Sequence, residues 1–562
     1  MTTCKVTKLK LNNGVEENIA PNDIVVFVGP NNVGKSRSLM DIYKAFSNPT
    51  ENIVIKDIEF KFENLEEIES LISSVSFHQR QNNSLFYTGY KYSIYEGMLK
   101  AIKPGAKINE NLVSFFISNL GTKAKLEQCE PIAVINRDEV KTHPLHYIAQ
   151  ESTYRKKVSD NFEKAFGKKL QIEKYSTKEN FLRIGDTIRI NDAGDEVDDN
   201  MDKYEKIMDK YPKVHEQGDG IKSFVGLLLN VIIENYSIFL IDEPESFLHQ
   251  PQAKILGNEL PDLLGDRQAF IATHSEALIR GLLEVASERI KIIRITRESG
   301  TNEFSVLRNK DLDILWKDPL LKYSNVLNSL FYEHTIICES DSDCQFYSII
   351  LSWLKEQDNR FPDTLFVYSS TKNRLHIIAK ALKALNINYK VLPDIDILRK
   401  EEDIKNLYLS CDGDWEDDKI KDAYSTFKSY FVGDNMSISK EELKKIFIEA
   451  IERCSMDPID ATELDTIKGN VKLDKKWKDV KQKGIDGITD PSVVEAFNKL
   501  DEIFKSAGIF IVREGELESF VPEVSGKKNH GPKWVAKVLD EYPDLQNPVY
   551  DKVKEFIKGL NV

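Results

Sequence analysis

Residues 29–36 read G-P-N-N-V-G-K-S. Gly29 and Gly34, with Asn31 and Asn32 between them, let the backbone curl so that its N–H groups point at phosphate oxygens. Lys35 is long enough to reach β- and γ-phosphates, and the Ser36 hydroxyl suits Mg²⁺. Residues 237–245, S-I-F-L-I-D-E-P-E, are an apolar run ending on two acids. Asp242 is placed to hold Mg²⁺, and Glu243 to position or deprotonate an attacking water. Residues 268–275, Q-A-F-I-A-T-H-S, end on His274, which is placed to contact a γ-phosphate region. A separate pair stands in V-L-P-D-I-D-I-L, residues 391–398. Asp394 and Asp396 there are either ligands of a hard cation or a solvated turn after a strand.

The chemistry depends on elements that present these groups. Residues 24–28, I-V-V-F-V, are a short β-branched run of the kind found in buried strands. A helical pattern, S-L-M-D-I-Y-K-A-F, follows the glycine loop, which is the strand–loop–helix context a phosphate cradle requires. In the second half, H-T-I-I-C-E-S-D-S-D (334–343) predicts a strand ending at Glu339, with a helix after it. L-F-V-Y-S-S (365–370) predicts a strand, L-H-I-I-A-K-A-L-K-A-L (375–385) a helix, and Y-K-V-L-P-D-I-D a further strand. Such alternation predicts an α/β fold with a parallel sheet and crossover helices. Groups at the carboxyl ends of such strands converge, so Glu339, Asp394 and Asp396 are expected to meet. Three carboxylates brought together repel unless a cation, Mg²⁺ or Mn²⁺ by ligand type, neutralises them. Asp412 and Asp414 in S-C-D-G-D-W form a rival pair, but Gly413 and polar neighbours suit a turn.

A chain of 562 residues divides into two or more domains. The register changes near residue 325, giving a nucleotide-binding part at 1–325 and a second part at 326–562. About 180 residues of mixed periodicity separate the glycine loop from residue 218. Within them 141–170 and 201–211 read as helical and 190–200 as a polar loop, so an insertion, for dimerisation or sensing, is expected over about 141–215. No glutamine loop can be placed; Gln79 and Gln81 are the candidates. The net charge of −14 argues against non-specific coating of nucleic acid, though a local basic groove on an acidic body remains open. The seven lysines of residues 468–483 read as a solvated helix face. Six scattered cysteines without a C-x-x-C pair imply reduced thiols and no zinc site. No apolar run reaches membrane-spanning length, and the first residues lack an apolar signal region, so a cytoplasmic location is expected.

Taken together, the loop at 29–36, the acids at 242–243 and His274 resemble ABC-type ATPase heads. The likeness is to those of the OLD (overcoming lysogenization defect) family and related SMC-like heads. E-P-E-S-F-L-H-Q-P-Q-A, residues 243–253, looks like that group's extension of the acidic strand, with Gln250 intervening before Pro251. G-D-G-I-K-S-F, residues 218–224, stands where the signature loop belongs but lacks L-S-G-G. The resemblance therefore assigns Gly218, Gly220, Lys222 and Ser223 only as a degenerate signature. It implies ATP sandwiched between two heads, hence at least a homodimer.

Glu339 with Asp394-x-Asp396 resembles a Toprim domain, and D-I-L-R-K-E-E-D-I-K-N-L (396–407) its OLD-type extension. The family implies a late acid, Glu518 in preference to Glu516, and a lysine, Lys533 ahead of Lys527 and Lys528. It implies two metal ions held by Glu339, Asp394, Asp396 and Glu518, with DNA as substrate. OLD-like proteins commonly serve anti-phage defence, some with retrons. A reverse transcriptase and its RNA–DNA product are then possible partners, and no membrane is involved. The alternatives are an SMC-like ATPase acting in binding or repair with an inactive or regulatory Toprim, a plain ABC ATPase with a C-terminal regulatory domain, and a Toprim strand-passage or primase enzyme. For strand passage the chain offers no recognisable tyrosine-bearing domain.

Overall fold

The computed structural model describes residues 4–562 except 64–67, 82–83, 90–91, 104–105, 174–177, 187, 189–205, 233–235, 299, 308–324, 432–438, 455–457, 461–462, 465–466, 468–474 and 525–529. The chain forms two compact units, Met1–Asp313 and Ile314–Val562.

The first unit is built on a six-stranded sheet. Its order is Thr301–Leu307, Ile290–Glu298, Ile24–Val28, Gln268–Ala272, Ile238–Asp242, Ile117–Leu120. All neighbours are parallel except the hairpin that adds Thr301–Leu307 at one edge. The five parallel strands therefore end on one side, which brings Gly29, Asp242, Thr273 and Gly121 to a common rim. Ile24–Val28 is central and fully buried, as an unbroken β-branched run requires. Helices Gln250–Leu264 and Glu276–Ala286 flank Gln268–Ala272 and pack at glycines. A Cβ on Gly257 would lie 2.4 Å from the Leu278 carbonyl, and one on Gly281 2.3 Å from that of Lys254.

A three-stranded antiparallel sheet, Glu16–Asn18, Cys4–Leu11 and Ile55–Phe62, and a meander of Phe77–Gln81, Ser84–Gly89 and Tyr92–Tyr95 complete this side. The expected insertion is helical only in part. Helices Pro144–Gln150 and Ser152–Phe166 are followed by the antiparallel strands Leu170–Ile172 and Leu182–Ile184. Each of these strands, L-Q-I and L-R-I, is only three residues long, too short for its alternation to stand out in the sequence. The polar stretch 190–200 and residues 201–205 lie outside the described residues.

In the second unit the strands Thr364–Tyr368, His334–Cys338 and Tyr389–Leu392 lie side by side in that order, all parallel. The crossovers contain the helices Asp341–Gln357 and Leu375–Ala384. Residues 508–512 run alongside the third strand: Val391 N–H donates to Gly508 O (2.9 Å), Phe510 N–H to Val391 O (2.8 Å) and Val512 N–H to Pro393 O (3.0 Å). Phe346, Tyr347, Trp534 and Tyr550 fill a core between the first of these helices and the C-terminal helices. Among the described residues no helix is long and apolar enough to cross a membrane.

Candidate functional site

At the rim of the first sheet the chain leaves Val28 through Gly29, whose φ is 143°; a Cβ there would meet the Ile295 carbonyl at 2.0 Å. Gly34 caps the helix Lys35–Ala45 with φ 104°. Both positions demand glycine, and Asn32 joins them with φ 62°. The helix is pinned by Asp41, fully buried, which accepts the N–H groups of Ile53 (3.0 Å), Val54 (2.6 Å) and Ile55 (3.2 Å). Lys35 Nζ donates to the carbonyls of Gly29 (2.8 Å) and Pro30 (2.6 Å) inside the loop. Ser36 Oγ donates to Asp242 Oδ1 at 2.8 Å, so the two Mg²⁺ candidates, one on a helix and one at a strand end 206 residues later, touch. Burial raises the Asp242 carboxyl, and the Ser36 hydrogen bond opposes that shift. A cleft of about 440 Å³ opens beside them, lined by Met40, Asn119 and Gly121 among others. Asn119 and Gly121 stand at the strand end nearest the acids. Gln79 lies instead on a strand of the meander.

Glu243 has φ 45°, uncommon for a residue with a Cβ. Its N–H donates to Ala272 O (2.9 Å), and its carbonyl accepts from Ser246 Oγ (2.6 Å). Glu245, which sequence reasoning passed over, ties two strand ends together: its Oε1 accepts from Thr273 Oγ1 (2.6 Å) and from the His274 N–H (3.1 Å). Burial, with Lys35 close by, lowers the His274 imidazole and favours its neutral form. Lys125 was also missed. It is fully buried, and its Nζ donates to Asp242 O (3.0 Å) and to Glu243 O.

The degenerate signature opens the helix Asp219–Val231, with Gly218 as its N-cap. Here the assignment needs correction. Ser223 is fully buried one turn into the helix, with no partner for its hydroxyl among the described residues, and in this conformation cannot meet a nucleotide. Gly220 faces the Phe247 carbonyl, 2.6 Å from where its Cβ would be, and Lys222 pairs with Asp219 (2.9 Å). Gly218 is left as the exposed member at the helix start.

In the second unit Glu339, Asp394 and Asp396 come together, with carboxylate oxygens all within 4.8 Å of one another. Parallel pairing of His334–Cys338 with Tyr389–Leu392 sets the first two at adjacent strand ends, and Asp394 N–H donates to Glu339 Oε1 (3.1 Å). Asp394 caps the 3₁₀ turn Ile395–Arg399, which turns Asp396 back toward the pair. Burial first, then Asp396, pushes the Glu339 carboxyl up to about 8. Burial, with Glu339, Asp343 and Asp396 nearby, holds Asp394 well above the ordinary carboxylate range. Asp396 Oδ2 takes two ammonium groups, Lys372 (3.0 Å) and Lys481 (3.7 Å), while its buried Oδ1 has no hydrogen-bond partner among the described residues. An orphaned carboxylate oxygen among carboxyls that resist ionisation fits a hard cation.

The late residues do not join this trio. Glu518 Oε1 accepts the Gly531 N–H (2.8 Å) and pairs with His530 (3.5 Å), though its charge helps raise Asp343. Glu516 is held by Lys481 (3.2 Å). Lys533 lies exposed on the helix Pro532–Glu541, and Lys527 and Lys528 lie outside the described residues. Among the described residues the lysines that reach the acids are Lys372 and Lys481. Lys481 belongs to the run read as a solvated face, but its helix, Lys475–Lys483, packs one side inward through Trp477 and Val480. Asp412 is an exposed turn residue with φ 64°, bonded to Lys383, and Asp414 accepts the Glu416 N–H (2.9 Å), so the rival pair is a solvated turn.

Residues 138–280 match the family model described as "AAA domain, putative AbiEii toxin, Type IV TA system". The match spans the signature helix, Asp242, Glu243 and His274, and leaves the glycine loop outside it. This part of the first unit is thus similar to an ATPase domain of that description. No curated protein matches the chain. The structure is similar to that of an SMC head bound to the C-winged helix domain of ScpA (12% identity, TM-score 0.31, 54% of this chain and 98% of that one). It is also similar to the SMC head domain from Thermotoga maritima (13%, 0.30, 54% and 98%). A third likeness is to cbiO1 from Clostridium perfringens, part of an ABC transporter complex (13%, 0.27, 55% and 90%).

Proposed function

We propose that this chain is an ATP-hydrolysing, metal-dependent DNA endonuclease of the OLD type, cytoplasmic and acting in anti-phage defence. The observation that carries the nuclease half is the convergence of Glu339, Asp394 and Asp396 around a buried oxygen of Asp396 that has no hydrogen-bond partner among the described residues. The nucleotide half rests on the Ser36–Asp242 contact at the foot of the glycine loop. In that half Lys35 would exchange its loop carbonyls for phosphate oxygens, Ser36 and Asp242 would hold Mg²⁺, and Glu243 would orient the attacking water. Gly218 and the start of its helix face a nucleotide held by a second copy of the chain. Glu339, Asp394 and Asp396 would hold Mg²⁺ or Mn²⁺, which when bound supplies charge neutralisation and water activation at a phosphodiester. Lys372 and Lys481, already at the acids, offer positive charge to the scissile phosphate, a role the family resemblance gave to Lys533. A reverse transcriptase with its RNA–DNA product is the proposed regulatory partner.

The same two lysines favour a second reading. Protein-borne ammonium groups on Asp396 are what a metal-free, structural acid cluster would use. The chain would then be an ATPase-gated binding protein with an inactive second site. Nicking of supercoiled plasmid by the purified protein with Mg²⁺ or Mn²⁺, with and without ATP, separates the two. Cleavage that disappears in Asp394→Ala, with ATP binding retained, supports the nuclease. Absence of cleavage together with absence of Mn²⁺ binding favours the second reading.

A further inference from the structure

Lys125 has no place in the chemistry assigned so far, yet it is fully buried and its ammonium points at the acids of the nucleotide site. Fully buried lysines are rare unless the charge has partners. The partners here are not carboxylates but the backbone carbonyls of Asp242 and Glu243. Burial draws this lysine down to about 8. Glu243 follows the strand end directly and has a φ of 45°, uncommon for a residue with a Cβ. Two further hydrogen bonds hold that conformation, the N–H to Ala272 O (2.9 Å) and Ser246 Oγ to the carbonyl (2.6 Å).

The other end of Lys125 is equally constrained. Its own carbonyl lies against Gly226 of the helix Asp219–Val231, where an added Cβ would fall 1.8 Å away. Cys129 Sγ donates to Lys222 O of the same helix (3.3 Å). The short helix Thr122–Glu127 is thereby clasped to the helix that begins at Gly218, while its lysine reaches the turn that carries Glu243.

We infer that Lys125 is a positioning residue for ATP hydrolysis. It holds Glu243 in the orientation that activates water and fastens that turn to the signature helix. The inference rests on the nucleotide half of the proposed function. It predicts that Lys125→Met binds a fluorescent ATP analogue with unchanged affinity while kcat falls by about tenfold or more and KM stays put. A residue that acts only through Glu243 also obeys a cycle: adding Lys125→Met to Glu243→Gln lowers kcat no further. Should Lys125→Met fail to fold, Ser246→Ala removes the other side-chain donor to the same carbonyl and is expected to lower kcat by about two- to fivefold. A wild-type kcat in Lys125→Met, or in Ser246→Ala where the first variant does not fold, overturns the inference, as does a full additive loss in the double variant. Failure of the wild-type chain to bind ATP removes the nucleotide reading and this inference together.

Discussion

Glu339 and Asp394 keep protons that ordinary carboxyls would have lost, because each is desolvated and faces the other and Asp396. A cation entering the trio must displace those protons. Mn²⁺ affinity should therefore rise from pH 6 to pH 8, by up to about tenfold per pH unit for each proton released, with the share due to Glu339 ending above about 8. Titration calorimetry in buffers of different ionisation enthalpy counts the protons, and a pH-independent affinity would contradict the assignment. The sign for stability follows from the same shift. Between 4.5 and about 8 the folded metal-free chain binds more protons at Glu339 than the unfolded chain does. Stability of the metal-free second unit should accordingly fall as pH rises through that window, and saturating Mn²⁺ should cancel the fall.

Among elements, the helices Gln250–Leu264 and Glu276–Ala286 owe their close approach to Gly257 and Gly281, each facing the other helix's backbone. The two helices precede and follow Gln268–Ala272, the strand that leads to His274. A methyl group at either glycine must push one helix away, since the obstructing atom is a carbonyl rather than a flexible side chain. Gly257→Ala is expected to destabilise the first unit by about 1–3 kcal/mol despite the better helix propensity of alanine. Chemical denaturation measures the loss. A neutral or stabilising outcome would show that the helix pair yields freely. Asp41 plays the equivalent part for the phosphate loop, fastening the helix Lys35–Ala45 to the segment before Ile55–Phe62.

For the whole chain, two compact units with separate cores imply two unfolding events. Each proposed ligand binds one unit, so each should move one transition. In differential scanning calorimetry ATP with Mg²⁺ should raise one midpoint by a few degrees, about what RT ln(1 + [L]/Kd) gives at 100-fold excess over Kd. Mn²⁺ alone should raise the other. Lys35→Ala should erase the first shift and Asp394→Ala the second. A single transition raised by both ligands would mean that the units fold as one.

Local chemistry is what the sequence alone determined. The glycine loop could be read because all its groups lie within eight consecutive residues and two of them need a positive φ, a demand that glycine advertises. Glu339, Asp394 and Asp396 could be placed together because strand and helix patterns imply parallel strands whose ends align. Tertiary structure decided everything that depends on reach between distant segments. Lys125, Lys372 and Lys481 arrive from a short helix, a turn and a lysine-rich run with no local mark of their destination. Ser223 was misassigned for the same reason, since one turn of helix separates a residue that faces a ligand from one that faces the core. Sequence patterns report which face of an element is apolar. Only packing against the rest of the chain decides which polar group then meets which, because a side chain's partner is set by distance in space, and pattern carries distance along the chain alone.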